Sequence, residues 1–153
     1  MLKNLRVRFS VFGFTIAALQ LLPNIVWALF PPAINRLEGN ASSVPLIEYG
    51  EHILGAAIVA LLLFLVNFTV PNRVHRNAPA ILAYCGVALY WLCWALYFGG
   101  IQPNAVIYAM VSLPPAAFFS AGIAEKVCPI SAASALFLVF HLLVALENFP
   151  IGG

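Results

Sequence analysis

Charge is absent from this chain over stretches long enough to cross a lipid bilayer, and that constrains its fold more than any motif does. A span needs about 20 mostly apolar residues. Five segments meet the requirement, at about residues 9–30, 47–70, 80–98, 104–123 and 129–149. Pro31-Pro32 stops the first, Pro71 the second and Gly99-Gly100 the third. Pro79, Pro103 and Pro129 stand at or just before the starts of the last three. Proline suits a first helical turn, where its missing N–H would be unpaired anyway. The reading is an all-α polytopic membrane helix bundle, one transmembrane domain over residues 1–153 with five transmembrane helices.

Composition agrees. The chain is 63% hydrophobic and 8% charged, against about 25% charged in a soluble domain. That is too little polar surface to cover a water-exposed fold, so the lipid bilayer is the expected partner. A net charge of +2 without a dense Lys/Arg cluster argues against nucleic acid. The spans leave no room for a soluble catalytic domain. Any chemistry must be built from helices and short loops.

Lys3, Arg6 and Arg8 precede the first span as they would a signal peptide. The apolar run exceeds the roughly 7–15 residues of such a peptide, and no Ala-x-Ala site follows, so retention as an anchor is expected. With the N-terminus in the cytoplasm, six of the seven basic residues lie inside and only Arg36 lies outside. A four-span arrangement would spoil that bias. The C-terminus then lies outside, and Pro31–Leu46 is the longest outer loop. Its Asn40-Ala41-Ser42 matches a glycosylation sequon, a triplet that also occurs by chance. Cys85 and Cys93 share a helix about 12 Å apart, too far for a disulfide. Cys128 lies in an inner loop, so all three read as small packing residues.

This topology sorts the polar side chains by depth. Asn24, Glu48, Glu51, His52, Trp91 and His141 fall in the outer half, and the cytoplasmic half looks nearly bare, with Asn67 its main polar residue. Glu48 and His52 are four apart and share a helix face. They suit a proton-relay pair, or equally an interfacial cap reaching water. His141 is the deepest histidine and needs a partner for its N–H, such as Glu48, His52, Asn24, a tyrosine or a backbone carbonyl. It serves either a helix–helix hydrogen bond or a binding or proton-handling role. Trp91 suits a pocket wall or ordinary core packing. These six are the ligand or proton-handling candidates. None is assigned a catalytic role, no metal-ligand set is identified, and no cofactor is indicated.

Pro114-Pro115 falls mid-span and predicts a kink or break in the fourth helix, a feature also of transporter binding sites. Phosphate loops, dinucleotide fingerprints and Gly-x-Ser-x-Gly elbows are absent. Without a single aspartate, a Ser-His-Asp triad is impossible.

The stretch from Leu22-Pro23-Asn24 through Trp27 to Phe30-Pro31-Pro32 resembles the opening of small bacterial multi-span membrane proteins. There a Leu-Pro-Asn first helix ends in a Phe-Pro-Pro turn, and a glutamate near the start of the second helix is similar to Glu48. The resemblance covers the first third of the chain. It implies a bacterial inner-membrane location and supplies no activity.

Three functions fit these readings. The first is a small transport, channel or accessory membrane subunit with an outward-facing polar site. The second is a compact intramembrane enzyme using Glu and His as acid and base. The third is a structural partner, in a homo-oligomer or with another membrane protein, through small-residue stretches such as Gly55-Ala56-Ala57 and Ser131–Ala135.

Overall fold

The computed structural model describes residues 2–151. It contains five helices long and apolar enough to cross a membrane: α1 (Val11–Leu29), α2 (Pro45–Phe64), α3 (Ala78–Phe98), α4 (Asn104–Ala124) and α5 (Cys128–Asn148). They form a bundle of successive antiparallel helices. Lys3, Arg6, Arg8, Arg73, Arg76 and Lys126 gather at one end, here the basic end. The α1–α2 loop covers the far end.

Local chemistry sets the helix ends. Ser10 starts α1, its Oγ accepting from Gly13 N at 2.9 Å. Asn77 does the same for α3 through Ala80 N at 3.0 Å. Each cap satisfies one of the four free donors of a first helical turn. The second span departs from expectation. Its helix stops at Phe64, and Leu65–Asn67 (β2) turns extended and pairs antiparallel with Leu5–Val7 (β1), Arg6 opposite Val66. The cause lies in the orphan carbonyls of a helix end. Arg8 N donates to Phe64 O at 2.9 Å and Ser10 N to Leu63 O at 2.8 Å. The N-terminal segment thus closes the end of α2.

The paired prolines of α4 do not break it. The helix runs continuously from Asn104 to Ala124 through Pro114 and Pro115. Packing explains this, because α4 is the central helix. Ten of its residues are buried, against two in α2, and it lies mainly between α3 and α5. Gly122 lets α4 and α5 approach closely, since a Cβ there would sit 2.8 Å from Ser131 N on α5.

Two apolar layers fill the bundle. Phe12, Ile16, Ile58, Leu62 and Ala121, all fully buried, form the layer toward the basic end. Tyr90, Trp94, Tyr97 and Met110 form an aromatic layer toward the far end. Above it the α1–α2 loop is strapped down. Asn35 Oδ1 accepts from Trp27 Nε1 at 2.9 Å and Tyr97 Oη at 2.8 Å. Arg36 reaches Gln102 O at 2.5 Å and Asn104 Oδ1 at 2.9 Å. Glu147 accepts from Ser42 Oγ and Ser43 N.

Candidate functional site

The candidate site is a pair of adjoining pockets between the helices, beneath this loop. Its upper lobe, about 320 Å³, is lined by Asn24, Asn40, Glu51, His52, Trp94 and His141 among others. Its lower lobe, about 210 Å³, includes Gln20, Asn24, Tyr90, Pro114, Phe118 and His141. The lobes share Asn24, Tyr90 and His141. Together they draw residues from all five helices.

The central pair is His141 on α5 and Glu51 on α2, with Nδ1 and Oε1 in direct hydrogen-bond contact. Aromatic side chains of α5 pack on the α2 face around this pair. A Cβ on Gly50 would collide with the Phe140 ring, and one on Gly55 would lie 3.5 Å from Phe137. Gly50 thus leaves room for the Phe140 ring of α5 beside Glu51, whereas Gly55 is in ordinary contact with Phe137. Phe137, one turn below, stacks on the imidazole with ring centroids 4.7 Å apart. The ring is therefore held from two sides. His141 lies seven residues from the end of α5, about 10 Å into the helix.

Other polar groups converge here. Asn24 Nδ2 donates to Tyr90 Oη at 2.9 Å. Gln20 is 1% exposed, and among the described residues neither its Nε2 nor its Oε1 has a partner. The same holds for Trp94 Nε1 and Asn40 Oδ1. A buried polar atom without a partner costs about 1–3 kcal/mol, so the cavity wall presents donors and acceptors of real consequence. Pro114 and Pro115 add to it. Lacking N–H groups, they deprive the carbonyls of Met110 and Val111 of their usual donors, and both residues line the upper lobe.

The six sequence candidates divide. Glu51, His52, His141 and Asn24 line one cavity. His52 is the most exposed of them, at the mouth. Glu48 does not line it. Its carboxylate accepts from Ser42 N at 2.7 Å, tying down the loop, and lies 3.6 Å from His52 Nε2. Trp91 is outside as well. Its Nε1 donates to Leu19 O at 2.8 Å, the carbonyl that Pro23, four residues on, cannot serve. Trp91 thus repairs the helix that Pro23 interrupts and clasps α3 to α1. The sequon's Asn40 lies on the cavity wall.

Gln20 is not among the sequence candidates, although an amide within an apolar run is a signal. The basic-end half is also less bare than expected. Glu125, 4% exposed, accepts from Ser10 Oγ at 2.6 Å, and His75 is buried nearby against Phe12. Among the described residues no group of three or more His, Cys, Asp or Glu converges as a metal site.

Comparison of the chain with protein-family models, curated proteins and solved structures gives no match.

Proposed function

We propose that this chain is a multi-pass membrane protein of the transport class, binding a small polar solute in the cavity around Glu51 and His141. The observation that carries the reading is Gln20. A fully buried amide with both polar atoms free faces a cavity that continues past Pro114 toward mid-bundle. A helix-packing role needs no such group there. The lower lobe ends at Phe118 and Val59, and the apolar layer of Phe12, Ile16, Ile58 and Leu62 lies beyond it. The described conformation therefore fits a site open to one side and closed to the other, as alternating access requires, and not an open channel. A volume near the low end of ligand sites suits a solute of amino-acid size or smaller.

The orientation we infer puts the basic end in the cytoplasm and the cavity mouth outside. A bacterial inner membrane is the proposed location, on the resemblance of the first helix. The Glu51–His141 contact also supports a second reading, an intramembrane acid–base enzyme, because the pair is already within proton-transfer reach.

Stopped-flow light scattering tests the first reading. Liposomes containing the protein should admit glycerol, urea or glycine faster than empty liposomes do. Gln20→Leu should slow that entry at least severalfold while leaving the helix content intact. Permeation equal to empty liposomes for all three solutes would remove the transport reading.

A further inference from the structure

A second groove lies at the basic end, remote from the Glu51–His141 cavity. Its volume is about 650 Å³, and its walls include Arg6, Arg8, Asn67, Phe68, Asn72 and Glu125. We propose that this groove binds a phosphate-bearing anion through the guanidinium groups of Arg6 and Arg8. The headgroup of an anionic phospholipid and a free phosphate share this chemistry.

Three observations support the assignment. First, the two arginines are not neutralised. Among the described residues neither has a carboxylate within salt-bridge distance, although Glu125 lines the same groove. Second, the groove is built and not simply a charged surface. The Arg6 guanidinium sits 5.1 Å above the Phe68 ring. The β1–β2 pairing sets the backbone that carries it. Asn72 ties the two walls together, its Oδ1 accepting from Val11 N at 2.9 Å and its Nδ2 donating to Phe9 O at 2.7 Å. Third, Glu125 is 4% exposed. It spends one oxygen on Ser10 and keeps Oε2 buried without a partner.

A carboxylate beside an anion would be repulsive, but this carboxyl is not an ordinary one. Burial pushes Glu125 up to about 7, with the Ser10 hydrogen bond acting the other way. The protonated form is therefore accessible at neutral pH, and its Oε2–H would donate to a phosphate oxygen. Two forked guanidinium donors and one hydroxyl donor match a tetrahedral oxyanion. Basic pockets between membrane helices take anionic headgroups in this way.

The test uses the full chain in nanodiscs of phosphatidylcholine with a minor share of phosphatidylglycerol. Native mass spectrometry then counts the phosphatidylglycerol molecules retained on release. The wild type should retain phosphatidylglycerol in preference to phosphatidylcholine. Arg6→Gln with Arg8→Gln should weaken retention on the order of ten- to hundredfold. Arg73→Gln with Arg76→Gln removes the same charge at the same end but outside this groove, and should leave retention unchanged. Equal loss in both double variants would reduce the groove to diffuse attraction and overturn the proposal. So would undiminished retention in the Arg6/Arg8 variant, or no lipid preference in the wild type. Millimolar inorganic phosphate separates the two sources. Displacement of the lipid marks free phosphate as a ligand of the site, and persistence marks the lipid.

Discussion

Glu125 shows how one residue can carry a pH dependence that its position in the sequence hides. Between two spans it reads as a loop residue, yet the fold seals it under Ser10. Its pKa is raised from 4.5 to about 7, so the folded protein keeps a proton that the unfolded chain releases in that window. The associated stability is fully present below 4.5 and is lost as pH rises through about 7. Its upper size is about 3 kcal/mol. His75 works in the opposite sense. Burial first, and the Arg73 charge second, lower its pKa from 6.5, so it withdraws stability as pH falls below 6.5. A wild-type curve alone mixes the two. The difference between wild type and Glu125→Gln, an isostere of the protonated acid, cancels His75; it should be small near pH 4.5 and move steadily in the variant's favour as pH is raised to 7 in detergent-unfolding titrations. A pH-independent difference would show that Glu125 is ionised throughout. Glu51 and His141 make a second residue-level case. Single substitutions Glu51→Ala and His141→Ala should be non-additive, with a coupling of about 1 kcal/mol, in the range of membrane interhelical hydrogen bonds. Additive losses in the double-mutant cycle would mean that the contact stores no interaction energy.

At the scale of elements, the helices were readable because apolar length alone demands them, and proline and glycine mark their ends. The end of the second helix is not legible in the sequence for a physical reason. Leu65–Val70 is as apolar as the helix before it, and only the pairing of β1 with β2 decides that the backbone turns extended. The hydrogen bond of Trp91 is not legible from its own span, because it is set by Pro23 on another helix. That relation makes a prediction. Trp91→Phe should destabilise the wild type by about 1–2 kcal/mol, the cost of orphaning the Leu19 carbonyl. In a Pro23→Ala background the restored N–H of residue 23 serves that carbonyl, and the same change at Trp91 should cost markedly less. Equal costs in both backgrounds, measured by unfolding in mixed micelles, would show that the indole contributes packing and not a hydrogen bond. The Glu51–His141 meeting was equally out of reach of periodicity. Glu48 and Glu51 are three residues apart, and which of them faces α5 depends on packing such as that of the Phe140 ring over Gly50.

For the whole molecule the arrangement is polar at both ends and apolar between. Ser10, where the basic-end polar groups start, and Gln20, at the floor of the cavity, are ten residues apart on α1, about 15 Å along the axis. The separating layer is made of Phe12, Ile16, Ile58 and Leu62, none with a hydrogen-bonding side chain. The two ends also differ in charge. The basic end holds six cationic residues, while Arg36 at the far end is committed to Gln102 and Asn104 and lies 5.3 Å above the Phe149 ring. In the proposed orientation Arg36 has a structural use that offsets its place on the outer side, whereas among the described residues none of the six others makes a side-chain hydrogen bond, and together they would hold their end in the cytoplasm. In that proposed orientation an odd number of spans sends the C-terminus across. The expected outcome in a bacterial host is an active alkaline phosphatase fused after Gly153 and a dark green fluorescent protein at the same position. Replacing Arg6, Arg8, Arg73 and Arg76 by glutamine should produce a mixed population with both reporters partly active. Reversed signals in the unmodified chain would turn the cavity mouth to the cytoplasm. Solute entry would then have to be sought from that side, with the arginine groove facing out.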